Sequence, residues 1–408
     1  MLLMKFNQKS ALREFNGMES KNSNIQFISF LRGLACLIIV AGHLVLTYFF
    51  ADNWDVFPYI PLLQFDNSLF LKVFSFLYSW GFKAASFGVA IFFFITGFTT
   101  LMSLERDNSV KYIVKRVVRL YPTYIVGFSI VLIFIYCFCI YRGVDVPFSK
   151  GDCLRHMTFL RNFMLSSYID NGVWTLEINY IFYLLVWCAY KIKNKKIFSY
   201  ININVLSVIL FFIFLMCNYL VLHAASSRLI YKVNVIVELI PYITYSLIGS
   251  LWYYEYSGQI NRRQFCLSII LLLMEFLIEN SYRTNNPTDV VGYIYALSFI
   301  GLLYYIRNDI RCPRIIRFIS SISYPLYIVH ALVGYILMSY FIMNNINAYV
   351  ALLFSLIIII SISCLLHFTV EKYSVFLGKK ICSRKYPLFI KVILAVVYII
   401  ALLLCIIS

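Results

Sequence analysis

The stretch Val205-Leu-Ser-Val-Ile-Leu-Phe-Phe-Ile-Phe-Leu-Met-Cys-Asn-Tyr-Leu-Val-Leu222 contains no Asp, Glu, Lys, Arg or His, and Ala351–Leu366 has the same character. Apolar runs of this length read as helices crossing the hydrocarbon core of a bilayer. Helices are the form they must take. A segment in lipid has to satisfy its own backbone hydrogen bonds, and these runs are too long for barrel strands. One large soluble core is excluded by composition: of 408 residues, 62% are hydrophobic and only 13% charged, against about a quarter charged in a soluble domain. So little polar surface does not cover a globule.

Outward from those two runs, eleven segments read as spans: roughly 27–50, 84–103, 121–141, 174–190, 197–222, 234–254, 264–279, 289–306, 315–340, 347–370 and 387–406. The expected fold is an all-α integral membrane bundle of about 10–11 transmembrane helices. The first run is too long for the apolar part of a signal peptide and reads as a retained span. With the N-terminus placed in the cytoplasm, 26 of the 35 Lys and Arg fall in cytoplasmic segments and adjoining span ends, as positive-inside topology requires. The net charge of +17 is thus a topology signal. No basic arm with interleaved aromatics suggests nucleic acid. The chain divides into a cytoplasmic polar tail (1–26), a membrane domain (27–370), and a cytoplasmic basic segment with one extra span (371–408), and no appended outer domain is expected. Two outer segments, 51–83 and 142–173, are long enough to read as functional rather than as connectors. Most of the eleven cysteines lie inside apolar runs and none forms a Cys-x-x-Cys. They read as small buried hydrophobes, and no metal site is expected.

Ionisable residues inside spans are costly and mark function. Arg32 and His43 share the first span, eleven residues apart. That is about three turns, so they share a face, separated by about 16 Å along the axis. Arg32 then lies at the cytoplasmic boundary and His43 in the outer half of the bilayer. Arg116 and Arg119 are neighbours on one face at the start of the third span, level with Arg32. Three guanidiniums at one depth suit phosphate oxygens. The fourth span enters from outside with Trp174 and Glu177, and the ninth carries Ser323, Tyr324 and His330. His43, Glu177 and His330 therefore reach similar depth from three helices, where Glu177 would orient a histidine or be held neutral by burial. His367 stays near the inner end, and His156 and His223 fall in outer loops without an evident role.

The motifs around these residues run in order along the chain. They are Phe30-Leu31-Arg32-Gly33 with His43, Phe92-Phe93-Phe94-Ile95-Thr96-Gly97-Phe98, Arg116-Val-Val-Arg119-Leu-Tyr121-Pro122, Trp174-Thr175-Leu176 with Phe182-Tyr183, and Ser323-Tyr324 with Tyr327 and His330. Together they resemble the membrane acyltransferase-3 family over residues 27 to 370. Where that family carries an acid five residues after the tryptophan, this chain has Asn179; Glu177 is the acid nearby. The resemblance implies O-acylation, commonly with acetyl from acetyl-CoA, of a hydroxyl on a cell-surface or lipid-linked sugar. It also implies a place in the cell membrane (the inner membrane if Gram-negative). No permanently bound cofactor is expected. Arg32, Arg116 and Arg119 would hold the donor. His43 would act as base, with Glu177 or a hydroxyl fixing its tautomer. His330, Ser323 and Tyr324 would stabilise the oxyanion or position the acceptor, with Trp174 and Tyr183 beside them. Two other readings stay open. One is a polysaccharide or lipid-sugar exporter without enzymatic activity. The other is a membrane acyltransferase in which His330 acts alone. Oligomeric state and acceptor identity are left open.

Overall fold

The computed structural model describes residues 26–48, 60, 83–107, 109–158, 161–164, 169–170, 172–193, 199–224, 227–283 and 288–383. The N-terminal tail, nearly all of the outer segment 51–83 and the eleventh span expected at 387–406 lie outside these residues. Among the described residues the chain is helical, and nine helices are long and apolar enough to cross a membrane. They are α1 (Gln26–Val45), α2 (Ala84–Arg106), α3 (Ser109–Arg142), α5 (Val173–Lys193), α6 (Tyr200–His223), α7 (Arg228–Tyr256), α8 (Arg262–Arg283), α10 (Arg314–Met343) and α11 (Ala348–Leu366). The short α4 (Lys150–His156) lies in the outer segment after α3. The apolar α9 (Thr288–Tyr305) is the remaining expected span. A π-helical turn, His367–Glu371, joins α11 to α12 (Lys372–Ser383).

Packing sorts these helices into two clusters that share α1. One α1 face, Phe27, Leu31, Ala35 and Ile39, belongs to the cluster built on α2, α5, α7, α8 and α9. The other, Cys36, Val40, Leu44 and Tyr48, belongs to the cluster of α3 and α10. Both sets repeat at a spacing of four, so two neighbouring stripes of one helix are buried against different partners. In the first cluster α2 and α7 approach to backbone contact. A Cβ on Gly97 would lie 1.8 Å from the Ser246 carbonyl oxygen, and one on Gly249 would lie 2.2 Å from that of Phe94. Small residues permit this approach in membranes, where packing rather than water exclusion drives association. The flanking α6 and α8 keep much of their surface turned outward, as in Phe212, Met216, Ile270 and Met274.

Pairs of helix ends fix a common level. The Cys312 amide before α10 donates to Gln26 Oε1 at the start of α1, 3.2 Å away, and Cys382 Sγ of α12 lies 3.7 Å from the Lys111 carbonyl oxygen at the start of α3. At the opposite end Tyr48 and Ser339 share a 2.7 Å hydrogen bond.

Candidate active site

The site lies where the two clusters meet. At its inner end Arg32 of α1 and Arg116 and Arg119 of α3 line one cavity. Their surroundings differ. Arg116 Nη2 is 3.4 Å from both the Thr99 carbonyl oxygen and Ser103 Oγ, and its guanidinium covers the Tyr183 ring at 4.8 Å and the Tyr112 ring at 5.4 Å. Arg119 donates to Glu371 Oε1 at 3.1 Å, while Glu371 Oε2 takes His367 Nδ1 at 2.8 Å. Arg32 makes no hydrogen bond or ion pair to any described residue. The sequence brings the three arginines to one level, and the structure adds the carboxylate, at the end of the π turn after α11. Glu371 follows His367 by four residues, a same-face spacing visible in the sequence; its reach to Arg119 was not.

From the arginines the cavity, with about 920 Å³ of empty volume, runs outward between α2, α3, α5 and α10. Its wall on α2 extends from Thr99 to Val89, ten residues or about 15 Å of helix. On α5 it follows Tyr183, Asn179 and Thr175, and on α10 Ser323, Tyr324 and Tyr327. It ends at Tyr327, whose hydroxyl is 2.6 Å from Thr175 Oγ1 and 3.1 Å from the Gly172 carbonyl oxygen.

The histidines stand immediately beyond. The rings of Tyr327 and His330 lie 5.5 Å apart, and His330 meets His43 edge to face at 5.0 Å. Neither histidine lines the cavity itself. His330 Nδ1 is 2.8 Å from the Tyr327 carbonyl oxygen. A carbonyl only accepts, so Nδ1 carries the hydrogen, and in the neutral ring Nε2 holds a lone pair. That Nε2 is buried and has no partner among the described residues. His43 Nδ1 lies 2.7 Å from Tyr335 Oη. His43 also sits in a π-helical turn, Gly42–Thr47, that interrupts the end of α1. Such turns recur at functional sites, and nothing in the local sequence announces this one.

Several expected roles change. Glu177 is not brought to either histidine among the described residues. Its carboxylate accepts from the Arg161 amide at 3.0 Å and from Arg161 Nη2 at 3.4 Å, and both side chains are buried. Equal depth does not imply a shared neighbour, and the buried outer-loop guanidinium has the stronger claim on the carboxylate. The hydroxyl at His43 comes from Tyr335, five residues beyond His330, a spacing that carries no sequence signal. Ser323 and Tyr324 donate to the Ser320 and Leu120 carbonyl oxygens, so neither has a hydrogen to spare for an oxyanion. With Tyr183 they line the cavity rather than the histidine end. Neutral His330 has no free N–H for an oxyanion either. Trp174 packs against Tyr242 at 4.8 Å and Phe93 at 6.0 Å, outside the cavity wall.

The described residues of the outer segment 142–173 are held by specific contacts. His156 is fully buried and stacks on Phe128 at 5.4 Å. Its Nε2 accepts from the Ile169 amide at 3.0 Å and its Nδ1 donates to the Asp152 carbonyl oxygen at 3.3 Å. It is a structural pin, contrary to the reading that gave it no role. Burial, reinforced by Arg161, pushes its pKa down to about 3. Asp170, also buried, is pushed up to about 6 by desolvation, against the opposing hydrogen bond from the Gly172 amide. No group of His, Cys, Asp and Glu among the described residues has the arrangement to hold a metal ion.

A family model described as "Acyltransferase domain", that of acyltransferase family 3, matches residues 25–368, and so takes in α1 to α11, the arginines and both histidines. No curated protein and no solved structure matches the chain.

Proposed function

From the premise that the chain belongs to the acyltransferase-3 family and is a multi-pass membrane O-acyltransferase, we propose that it moves an acetyl group from acetyl-CoA to a hydroxyl of a cell-surface or lipid-linked sugar, in the cell membrane. The observation that carries this reading is the continuity of the site. A cluster of guanidiniums, a cavity about two to three helical turns long and a pair of buried imidazoles follow one another from the inner to the outer side. Arg32, Arg116 and Arg119 suit the phosphates of the coenzyme, whose arm would extend outward with the thioester at Tyr327. The acyl donor is a substrate, and the mechanism uses no resident cofactor.

An alcohol is a weak nucleophile near neutral pH and needs a base within hydrogen-bond reach. His43 is the proposed base. In the proposed tautomer Nδ1–H donates to Tyr335 and Nε2 carries the lone pair, the neutral form that imidazole readily supplies. The acceptor oxygen attacks the thioester carbonyl carbon as its proton passes to His43. The C–S bond then breaks, and the leaving thiolate takes the proton back to depart as the free thiol. His330 Nε2, beside it, accepts a hydrogen bond from a neighbouring hydroxyl of the acceptor and holds it in line. The acceptor would enter from the outer side, past the segment pinned by His156.

The test is acyl transfer by the purified protein, with candidate acceptor glycans and acetyl-CoA, read by mass spectrometry. A product that gains the acyl mass only with both donor and protein supports the reading. Sugar binding without any acyl product would identify a carrier instead.

A further inference from the structure

We propose that the cavity wall between the arginines and Tyr327 recognises the amide N–H groups of the donor's pantetheine arm, with Asn179 Oδ1 as the principal acceptor. This inference rests on the acyl-coenzyme A reading above.

Five of the hydroxyls that line the wall have their hydrogens committed elsewhere. Thr99 donates its hydroxyl hydrogen to the Ile95 carbonyl oxygen at 2.8 Å. Ser323 donates to Ser320 at 2.9 Å and Tyr324 to Leu120 at 2.8 Å. Thr175 and Tyr327 bond each other, and each lies 3.1 Å from the Gly172 carbonyl oxygen, so one hydrogen joins the pair and the other goes to Gly172. These five hydroxyls therefore face the cavity with lone pairs and no hydrogen to give. Asn179 adds an amide oxygen that is buried and has no partner among the described residues. Buried acceptors without donors are costly and are rarely left so.

A ligand matching these acceptors brings hydrogen-bond donors. A hydrocarbon chain has none, and a phosphate is an acceptor itself. A pantetheine arm has two secondary amides and a hydroxyl between its phosphate end and its sulfur. Asn179 stands at the corresponding level. It is four residues outward from Tyr183, which carries Arg116, and four residues inward from Thr175, which adjoins Tyr327. Each step is about 6 Å of helix. An uncharged amide here also accepts a hydrogen bond without placing a negative charge on the path of the phosphorylated donor.

The experiment measures equilibrium binding of the thioether analogue of acetyl-CoA, which cannot transfer its acyl group. Two further analogues have one or the other pantetheine amide replaced by an ester, which keeps the shape and removes the N–H. Wild-type protein should bind one ester analogue about tenfold more weakly than the parent. Asn179→Leu should bind the parent about tenfold more weakly and lose its discrimination against that ester. Asn179→Gln, which keeps a neutral acceptor oxygen, should bind the parent more tightly than Asn179→Leu. Equal binding of both ester analogues and the parent by wild-type protein would overturn the proposal even where Asn179→Leu fails to fold. So would losses that simply add between Asn179→Leu and each ester. Absence of any coenzyme binding by the wild type would overturn the donor assignment itself, and this proposal with it.

Discussion

His330 Nδ1 lies 2.8 Å from the carbonyl oxygen of Tyr327, one turn earlier on the same helix. The bond fixes which nitrogen of the neutral ring is bare. It also ties the imidazole to the residue whose side chain closes the outer end of the cavity, so the position of Tyr327 sets the position of His330. The expected result is that His43→Ala and His330→Ala each lose about two orders of magnitude or more in acyl transfer while inserting normally into membranes. Transfer by His43→Ala at the wild-type rate would remove that residue as base. Loss in His330→Ala with none in His43→Ala would favour a site in which His330 acts alone.

Tyr335 holds His43 through a single hydrogen bond, so Tyr335→Phe removes the contact and keeps the ring. The expected effect is a fall in kcat of about five- to tenfold, with little change in the KM for donor. A change confined to KM would place Tyr335 in binding instead.

Arg32 lacks a described partner, and an unpaired charge held partly inside a protein is destabilising. Arg32→Met should therefore raise the thermal unfolding temperature while raising the KM for acyl-CoA about tenfold or more, the worth of a charged hydrogen bond. Measured together, the two effects separate a donor ligand from a topology anchor, whose loss would leave the KM unchanged.

In the outer segment the two titrating groups oppose each other. His156 is neutral when folded and has a pKa depressed to about 3 from 6.5. Its favourable contribution is present above pH 6.5 and is lost as pH falls toward 3. Asp170 has its pKa raised to about 6 from 3.8. Its contribution is present below pH 3.8 and is lost as pH rises through 6. Between pH 4 and 6 the slopes cancel, each up to about 1.4 kcal/mol per pH unit. Wild-type stability should be nearly flat there. Asp170→Asn should become less stable as pH falls, and His156→Gln less stable as pH rises. Thermal unfolding at several pH values checks both signs.

What was legible in the sequence follows from what the bilayer enforces. Span positions come from run length, and depth comes from counting residues along a helix, so Arg32, Arg116 and Arg119 at one level and His43 and His330 at another were readable. Depth says nothing about which faces meet. Glu177 shares the depth of the histidines yet belongs to Arg161, a residue that reaches it from a loop. Tyr335 enters the site by helix packing and a π turn that no local pattern encodes. Asn179 was visible as a departure from the family pattern, but its empty oxygen was not. Those losses fall on contacts between segments, where a single sequence carries least information.

The helix α1, buried on two adjoining stripes by two different sets of partners, serves as the axle of the molecule. It carries Arg32 near one end and His43 near the other, so the residues packed along its two stripes fix the spacing between the two ends of the proposed path.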